Sequence, residues 1–168
     1  IADRIIKKNP DKEEYVCAAG ISPSGSIHIG NFRDIATSLF VAKAIEKRGK
    51  KARLLFSWDE FDRFRKVPAN VKAIDPDNKM EQYIGRPYTS VPNPFDTEHE
   101  NYAKYFEDEF MKSIKKFGIE MDYRYQTDMY TSGAYRDDII EAIQKRKEIF
   151  DILDSFRTQD AQEGERDA

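Results

Sequence analysis

The run of sequence that decides the fold is rich in glycine and serine, and it reads Ser22-Pro23-Ser24-Gly25-Ser26-Ile27-His28-Ile29-Gly30-Asn31-Phe32. Residues 15–20, which precede it, are mostly apolar and predict a strand. The run itself opens a predicted helix that continues to about Arg48. Where a strand passes through such a turn into a helix, backbone N–H groups and the positive end of the helix can bind a phosphate. The run therefore predicts an anion site at the start of a helix.

The spacing of the glycines separates this turn from the two commonest nucleotide motifs. It matches neither G-x-G-x-x-G nor G-x-x-x-x-G-K-[ST], because the required glycines and lysine are missing. It has instead His28 two residues before Gly30. The imidazole of His28 and the amide of Asn31 can donate hydrogen bonds to phosphate oxygens. Gly25 and Gly30 would let the backbone come close to a nucleotide.

A second strand is predicted over residues 52–58. Strand, helix and strand together occupy about forty residues, which fits a right-handed crossover between parallel strands. Ligands in such sheets bind beyond the carboxyl ends of the strands, and residues 20–28 and 59–65 both meet that condition. The predicted fold class is α/β, a Rossmann-like nucleotide-binding half-domain with parallel strands followed by a largely helical insertion.

The remaining segments are predicted from their periodicity and their prolines. Residues 67–98 contain five prolines and predict an irregular connection. Residues 98–117 and residues 133–156 each predict one helix, and residues 122–126 predict a short strand. In the helix after the first strand, we expect a core-facing apolar stripe made of Phe32, Ile35, Ala36, Leu39, Phe40 and Ala44.

Composition limits the possible classes of protein. The 168 residues are 39% hydrophobic and 12% aromatic, enough for one domain with a core. The net charge of −3 does not by itself indicate a nucleic-acid partner, although a local basic surface can bind phosphates on an acidic protein. The single cysteine, Cys17, can build neither a disulfide framework nor a zinc cluster. No apolar stretch is long enough to cross a membrane, so the default expectation is a cytoplasmic protein without a membrane partner.

The phosphate-binding run also carries a family resemblance. From Pro23 to Asn31 it resembles the first signature of the class I aminoacyl-tRNA synthetases, which is H-I-G-H in its general form. Together with residues 18–22 before it and residues 31–34 around its end, it resembles the class I lysyl-tRNA synthetases most closely. Asn31 stands where many class I enzymes have a second histidine, a variant that this subfamily shares.

The resemblance implies a lysine–tRNA ligase, which joins lysine to ATP as an adenylate and then transfers lysine to the 3′ end of its tRNA. It implies lysine, ATP and a lysine-specific tRNA as partners, with Mg²⁺ arriving as the ATP complex and no metal bound by these residues. The implied ATP-binding residues are Ser24, Gly25, His28, Gly30 and Asn31, of which His28 and Asn31 are the catalytic pair. Gly20 and Ser22 match positions in the amino-acid pocket of the family.

A second group of residues, at the end of the second strand, resembles the same enzymes. A pocket for lysine needs an anion for the ε-ammonium group and an aromatic wall beside the apolar stem. Trp58, Asp59 and Asp62 supply these chemistries. An alternative stays open at this point, in which Asp59 and Asp62 form salt bridges with Arg63 and Arg65 within an ordinary surface loop.

Two later stretches, residues 84–95 and residues 126–135, resemble the insertion between the two halves of the synthetase fold, where the tRNA acceptor end is approached. We therefore expect a nucleotide-binding half over residues 1–66, a connective insertion of loop and helix over residues 67–157, and a disordered polar tail over residues 158–168. Weak candidates for RNA contact are the basic residues Arg86, Lys112, Lys115, Lys116 and Arg136. Solvated surface charges are the favoured interpretation of this group.

The resemblance covers only the first part of such a synthetase. The second half of the nucleotide fold, its K-M-S-K-S-type loop, the zinc-binding insertion and the anticodon-binding helices have no counterpart in these residues. We therefore expect an incomplete fragment that is weakly active or inactive alone. Two other functions stay open, a non-catalytic fragment that binds nucleotide or RNA and a nucleotidylyltransferase of the H-x-G-H type. The latter would need a second histidine at position 31.

Overall fold

Three parallel strands form one sheet in the order β1–β2–β3. Strand β1 spans Glu14–Ile21, β2 spans Lys51–Trp58 and β3 spans Asp122–Tyr125. The computed structural model describes residues 1–158. The parallel sheet and its crossover helices confirm the predicted Rossmann-like α/β fold.

The described residues also form seven α-helices: α1 (Ala2–Lys8), α2 (Ile29–Glu46), α3 (Ala69–Lys72), α4 (Tyr102–Lys116), α5 (Gln126–Thr131), α6 (Arg136–Gln144) and α7 (Arg146–Ser155). Two short 3₁₀ helices, Lys79–Tyr83 and Tyr88–Ser90, lie within the proline-containing connection. Of the helices that the structure describes, none combines the length and apolar character needed to cross a membrane.

The three strands end at the same edge of the sheet. The register pairs Ile21 at the end of β1 with Trp58 at the end of β2, and pairs Trp58 with Tyr125 at the end of β3. The segments that follow β1 and β2 therefore leave the sheet side by side, as predicted. The start of α5, which follows β3, leaves at the same edge and was not part of that prediction.

Two apolar clusters build the core around this edge. The first joins the sheet to α2 and α4 and contains Ala19, Ile35, Leu54, Phe56, Trp58, Phe110 and Ile114. The second packs the connection of residues 67–98 against α4 and contains Phe64, Val67, Val71, Met80, Tyr88, Val91, Tyr102, Ala103 and Phe106. The connection is irregular, as predicted, but it buries apolar side chains of its own.

The core-facing stripe of α2 differs from the prediction at Phe40, whose side chain is 67% exposed. The buried residues of this helix are Ile35, Ala42 and Ile45. Phe40 follows Ile35 by five residues, which places it about 140° around the helix, whereas Ala42 lies within about 20° of Ile35. The inclusion of Phe40 in the stripe was therefore wrong.

The chain divides into two compact units, Ile1–Asp128 and a second unit that begins at Met129. The predicted boundary between residues 66 and 67 lies inside the first unit, because Phe64, Val67 and Tyr102 share one core. The predicted tail of residues 158–168 lies, apart from Thr158, outside the described residues.

The second unit contains α6 and α7, where a single helix over residues 133–156 was predicted. That prediction was wrong at Lys145, whose φ of −94° and ψ of 11° separate the two helices. The apolar residues of the two parts are out of phase. Ile149 follows Ile143 by six residues and would lie about 120° away from it on a continuous helix.

Candidate functional site

His28 caps the start of α2. Its backbone is extended, and its Nδ1 accepts a hydrogen bond from the N–H of Gly30 over 3.1 Å. The side chain of Asn31 accepts in return from the N–H of His28 over 3.3 Å, which completes a reciprocal capping box. Because Nδ1 accepts a hydrogen bond, the proton of the neutral ring lies on Nε2. The exposed imidazole therefore has an N–H donor beside the positive end of α2 that no other described residue accepts.

Gly30 is required by the position of the His28 ring. A Cβ atom at residue 30 would lie 2.9 Å from Cε1 and 3.0 Å from Nδ1 of His28. Any larger residue would displace the ring or break the cap. Gly25 differs, because a Cβ atom there would have no neighbour within 4 Å. The chain itself places no restriction on Gly25, and the space beside it is open to a ligand.

The turn between β1 and α2 is held by a tyrosine from another part of the first unit. The hydroxyl of Tyr102, at the start of α4, donates a hydrogen bond to the carbonyl oxygen of Ser24 over 3.1 Å. Tyr88, from the same apolar cluster, lines a cavity together with Ser24, and burial is the main cause that raises the pKa of the Tyr88 phenol. The turn is thus anchored to the second apolar cluster while its outer face stays open.

A carboxylate pair lies at the ends of β1 and β2, beside the turn. The hydroxyl of Ser22 donates to Oδ2 of Asp62 over 2.8 Å, and the hydroxyl of Ser57 donates to Oδ1 of Asp59 over 3.0 Å. A Cβ atom at Gly20 would lie 3.1 Å from the carbonyl oxygen of Ser57 and 3.6 Å from Oδ2 of Asp59. Gly20 therefore lets the two strand ends come close together beneath the carboxylates.

The surroundings of Asp59 make its negative charge unfavourable in the absence of a bound cation. Burial raises the pKa of Asp59, and the negative charges of Asp62 and Glu60 raise it further, although the hydrogen bond from Ser57 opposes them. Within residues 1–158, no ion pair joins either Asp59 or Asp62 to an arginine or lysine. The alternative of a salt-bridged loop with Arg63 and Arg65 is therefore not what the described residues form.

Asp62 and the phosphate-binding turn border adjoining cavities. One cavity, of about 670 Å³, is lined by residues of the turn that include Gly25, His28 and Asn31. The other, of about 360 Å³, is lined by Asp62, Tyr88 and basic side chains. Both are also lined by Ser22, Ser24, Lys66 and Pro68. We call the combined space the groove.

Trp58 lies elsewhere than predicted. It was expected to be the aromatic wall of an amino-acid pocket, but it is fully buried in the sheet core. Its ring packs edge-on against Phe56 and Phe110, with centroid distances of 4.9 and 5.2 Å. Side chains alternate along a strand, so Trp58 shares the buried face of β2 with Phe56. The aromatic side chain that does line the groove is Tyr88.

Sequence reasoning missed three residues at this edge of the sheet. Lys66 lines both cavities. Gln126, the first residue of α5, donates from Nε2 to the hydroxyl of Ser57 over 2.6 Å. Glu60 is 1% exposed, and its carboxylate accepts hydrogen bonds from the start of α5. The sequence signal for Gln126 was its position at the end of the strand predicted over residues 122–126, which predicts the same edge of the sheet as residues 20 and 59.

The basic residues considered for RNA contact have varied surroundings. Lys112 pairs with Asp108 at 2.6 Å, and the guanidinium of Arg86 lies 5.8 Å from the ring centre of Tyr83. Lys115 and Lys116 lie in the last turn of α4, where positive charge stabilises a helix. Arg136 begins α6 in the second unit. A role for any of them in RNA binding stays a prediction.

Comparisons with known proteins identify the family of the chain. Residues 1–166 match the family described as tRNA synthetases class I (K). The lysine–tRNA ligase of Streptomyces coelicolor is 43% identical over 164 residues, which is 95% of this chain and 28% of that relative. Those of Pyrococcus horikoshii and Treponema pallidum are 41% and 42% identical over 157 residues, 94% of this chain and 29% of each relative. The chain thus spans less than a third of the length of these relatives, and it belongs to the class I (K) family of tRNA synthetases.

Proposed function

We propose that this chain supplies the ATP- and lysine-binding part of a class I lysine–tRNA ligase. The observation that carries the proposal is the groove, in which Ser22, Ser24 and Lys66 line both the cavity beside His28 and the cavity beside Asp62. A helix start with an exposed imidazole donor suits the phosphates of ATP. A carboxylate pair that forms no ion pair within residues 1–158 suits the ε-ammonium group of an amino acid.

The proposed first step joins lysine to AMP. A carboxylate oxygen of lysine attacks the α-phosphorus of ATP, an O–P bond forms, and the bond to pyrophosphate breaks. The protein needs no nucleophile, so its part is to hold two anions together and to stabilise charge on the phosphate oxygens. The Nε2–H of His28 and the N–H groups at the start of α2 would donate hydrogen bonds to those oxygens.

The proposed second step transfers lysine to tRNA. A ribose hydroxyl at the 3′ end attacks the carbonyl carbon of the adenylate, an ester forms and AMP leaves. We place the approach of the tRNA end at the insertion of residues 67–157. The other substrates of the proposal are lysine and ATP as its Mg²⁺ complex, in the cytoplasm, where tRNA is charged.

Selection of lysine would depend on charge at the carboxylate pair. The ε-ammonium group brings a positive charge to Asp59 and Asp62, neither of which forms an ion pair among the described residues. A neutral side chain of the same length would leave these carboxylates uncompensated, and an acidic side chain would be repelled. The proposal therefore predicts rejection of both.

The test is ATP–pyrophosphate exchange by the full-length protein that contains this chain, with each amino acid supplied in turn. We expect exchange that depends on lysine, and a fall in kcat of about a hundredfold in the His28→Ala variant. His99→Gln, which changes a histidine outside the groove, is the matched control and should keep normal exchange. Exchange supported by glutamate and not by lysine would refute the assignment of the amino acid. Equal activity of the two variants would refute the role of His28.

A further inference from the structure

We propose that Gln126 is a positioning residue for the lysine site, which acts through Ser57 to orient the carboxylate of Asp59. Gln126 lies in the part of the chain that the sequence assigned to the connective insertion. This inference rests on the proposed function and adds a residue to the same site.

Gln126, Ser57 and Asp59 form a directed chain of hydrogen bonds. Nε2 of Gln126 donates to Oγ of Ser57 over 2.6 Å. The serine hydroxyl has one proton, and it donates that proton to Oδ1 of Asp59 over 3.0 Å. An amide donor that occupies a lone pair of the hydroxyl orients this proton toward the carboxylate. Gln126 therefore directs the proton of Ser57 toward Oδ1 of Asp59.

The other oxygen of Asp59 lies near the end of β1. A Cβ atom built on Gly20 would lie 3.6 Å from Oδ2, so this oxygen faces the end of β1. Oδ2 of Asp59 has no hydrogen-bond or ion-pair partner among the described residues. An ammonium group that reaches the end of β1 would meet a carboxylate whose direction is already set, which lowers the ordering cost of binding.

Glu60 holds Gln126 in the position that this chain of hydrogen bonds requires. Its carboxylate accepts from the N–H of Gln126 over 3.1 Å and from the N–H of Thr127 over 2.8 Å. Glu60 is 1% exposed, so these two hydrogen bonds are shielded from water. The pairing of Trp58 with Tyr125 explains the contact, because it puts the residue that follows β3 beside the residues that follow β2.

The expected effect is specific to lysine. None of the described hydrogen bonds links Gln126 or Ser57 to His28 or to the rest of the phosphate-binding turn. Loss of the amide donor should disturb the direction of Asp59 and leave the ATP part of the groove intact. A residue with a merely structural role would instead lower the stability of the protein or affect both substrates.

The test uses the full-length enzyme and compares Gln126→Leu, Ser57→Ala, the double variant and a control, Gln82→Leu. Gln82 is exposed and makes one local hydrogen bond to the carbonyl oxygen of Lys79. In lysine-dependent exchange, Gln126→Leu should raise KM for lysine about tenfold, because a hydrogen-bond chain to a charged group is lost. KM for ATP should not change, and the control should match the unaltered enzyme.

Two further readouts separate positioning from folding. The double variant should be no worse than Ser57→Ala alone, since both changes interrupt one chain. In Gln126→Leu, the acidic limb of kcat/KM for lysine should move to higher pH, because the hydrogen bond from Ser57 lowers the pKa of Asp59 and would be weakened. Gln126→Met, which keeps an unbranched side chain without the donor, should behave in the same way if the leucine variant is poorly folded.

The possible results of these experiments test the role of Gln126 and the proposed function separately. An unchanged KM for lysine, an equal rise in KM for ATP, or additive effects in the double variant would overturn the role of Gln126. In each of these cases lysine-dependent exchange by the unaltered enzyme would still stand. Absence of that exchange would overturn the proposed function, and the inference with it.

Discussion

The phenol of Tyr102 donates a hydrogen bond to the carbonyl oxygen of Ser24 over 3.1 Å, across 78 residues of sequence. The tyrosine is fully buried and stands at the start of α4, whereas Ser24 lies in the turn that precedes α2. The turn that we propose to bind ATP therefore takes part of its shape from a helix outside the crossover unit.

Removal of the Tyr102 hydroxyl should make the turn less ordered without changing the packing of the core. In Tyr102→Phe the ring keeps its packing against Phe64 and Phe106, and the carbonyl of Ser24 loses its donor. We expect a loss of about 1 kcal/mol in the free energy of unfolding, together with a rise in KM for ATP. Urea unfolding and ATP–pyrophosphate exchange measure the two effects. Tyr105→Phe is the matched control, since none of the described hydrogen bonds uses its hydroxyl, and an equal effect of both changes would contradict the prediction.

Gly30→Ala should displace the His28 ring without destabilising α2. A Cβ atom at residue 30 would lie 2.9 Å from the ring, so the imidazole must move away from its cap. We expect kcat for exchange to fall at least about tenfold, because the phosphate donor is misplaced. The helix itself tolerates alanine well. Gly25→Ala meets no atom of the chain, so any loss in that variant would report contact with the nucleotide. Normal exchange in Gly30→Ala would show that the ring position is unimportant.

Asp59→Asn should impair lysine binding more than folding. Burial and neighbouring carboxylates raise the pKa of Asp59, so its charge costs stability in the absence of a cation. We expect a rise in KM for lysine of about a hundredfold, typical for the loss of one partner of a shielded charge pair. The free energy of unfolding at neutral pH should stay the same or increase. A clear loss of stability with an unchanged KM for lysine would be the opposite result and would assign Asp59 to the scaffold.

His99 should make stability depend on pH near neutrality. A hydrogen bond to Asp96 is the largest cause that raises its pKa, and a hydrogen bond to Asp108 adds to it. A raised folded pKa means that the contribution is fully present below the unfolded value of about 6.5 and is lost as pH rises through the folded pKa. Asp96 and Asp108 have lowered pKa values and stay ionised throughout this range.

The measurement for this prediction is urea unfolding of the unaltered protein and of His99→Gln across the neutral range. The stability difference between them should be larger on the acidic side, where the imidazolium is paired with both aspartates. A difference that is constant with pH, or one that grows as pH rises, would contradict the assignment of the effect to His99.

Local pattern alone was enough to predict the crossover unit and the turn. The glycine-rich run between a strand and a helix is encoded by neighbours in sequence, and the handedness of the crossover follows from chain stereochemistry. His28, Gly30 and Asn31 form their capping box within four residues, so their arrangement needs nothing from the rest of the chain. For the same reason, residues after β1 and β2 were correctly expected at one edge of the sheet.

Only the tertiary structure decided which side chains line the groove and which lie in the core. Trp58 has the chemistry of a pocket wall, but the packing of α4 on β2 buries it, and Phe40 is exposed because of its angle on α2. Gln126 and Glu60 come together across 66 residues because β3 pairs with β2. Sequence periodicity describes one element at a time, whereas contacts of this kind depend on strand order and register. The capping box at the start of α2 was therefore determined by local sequence, whereas the anchoring of the turn at Ser24 and the residues that orient Asp59 were determined by tertiary contacts.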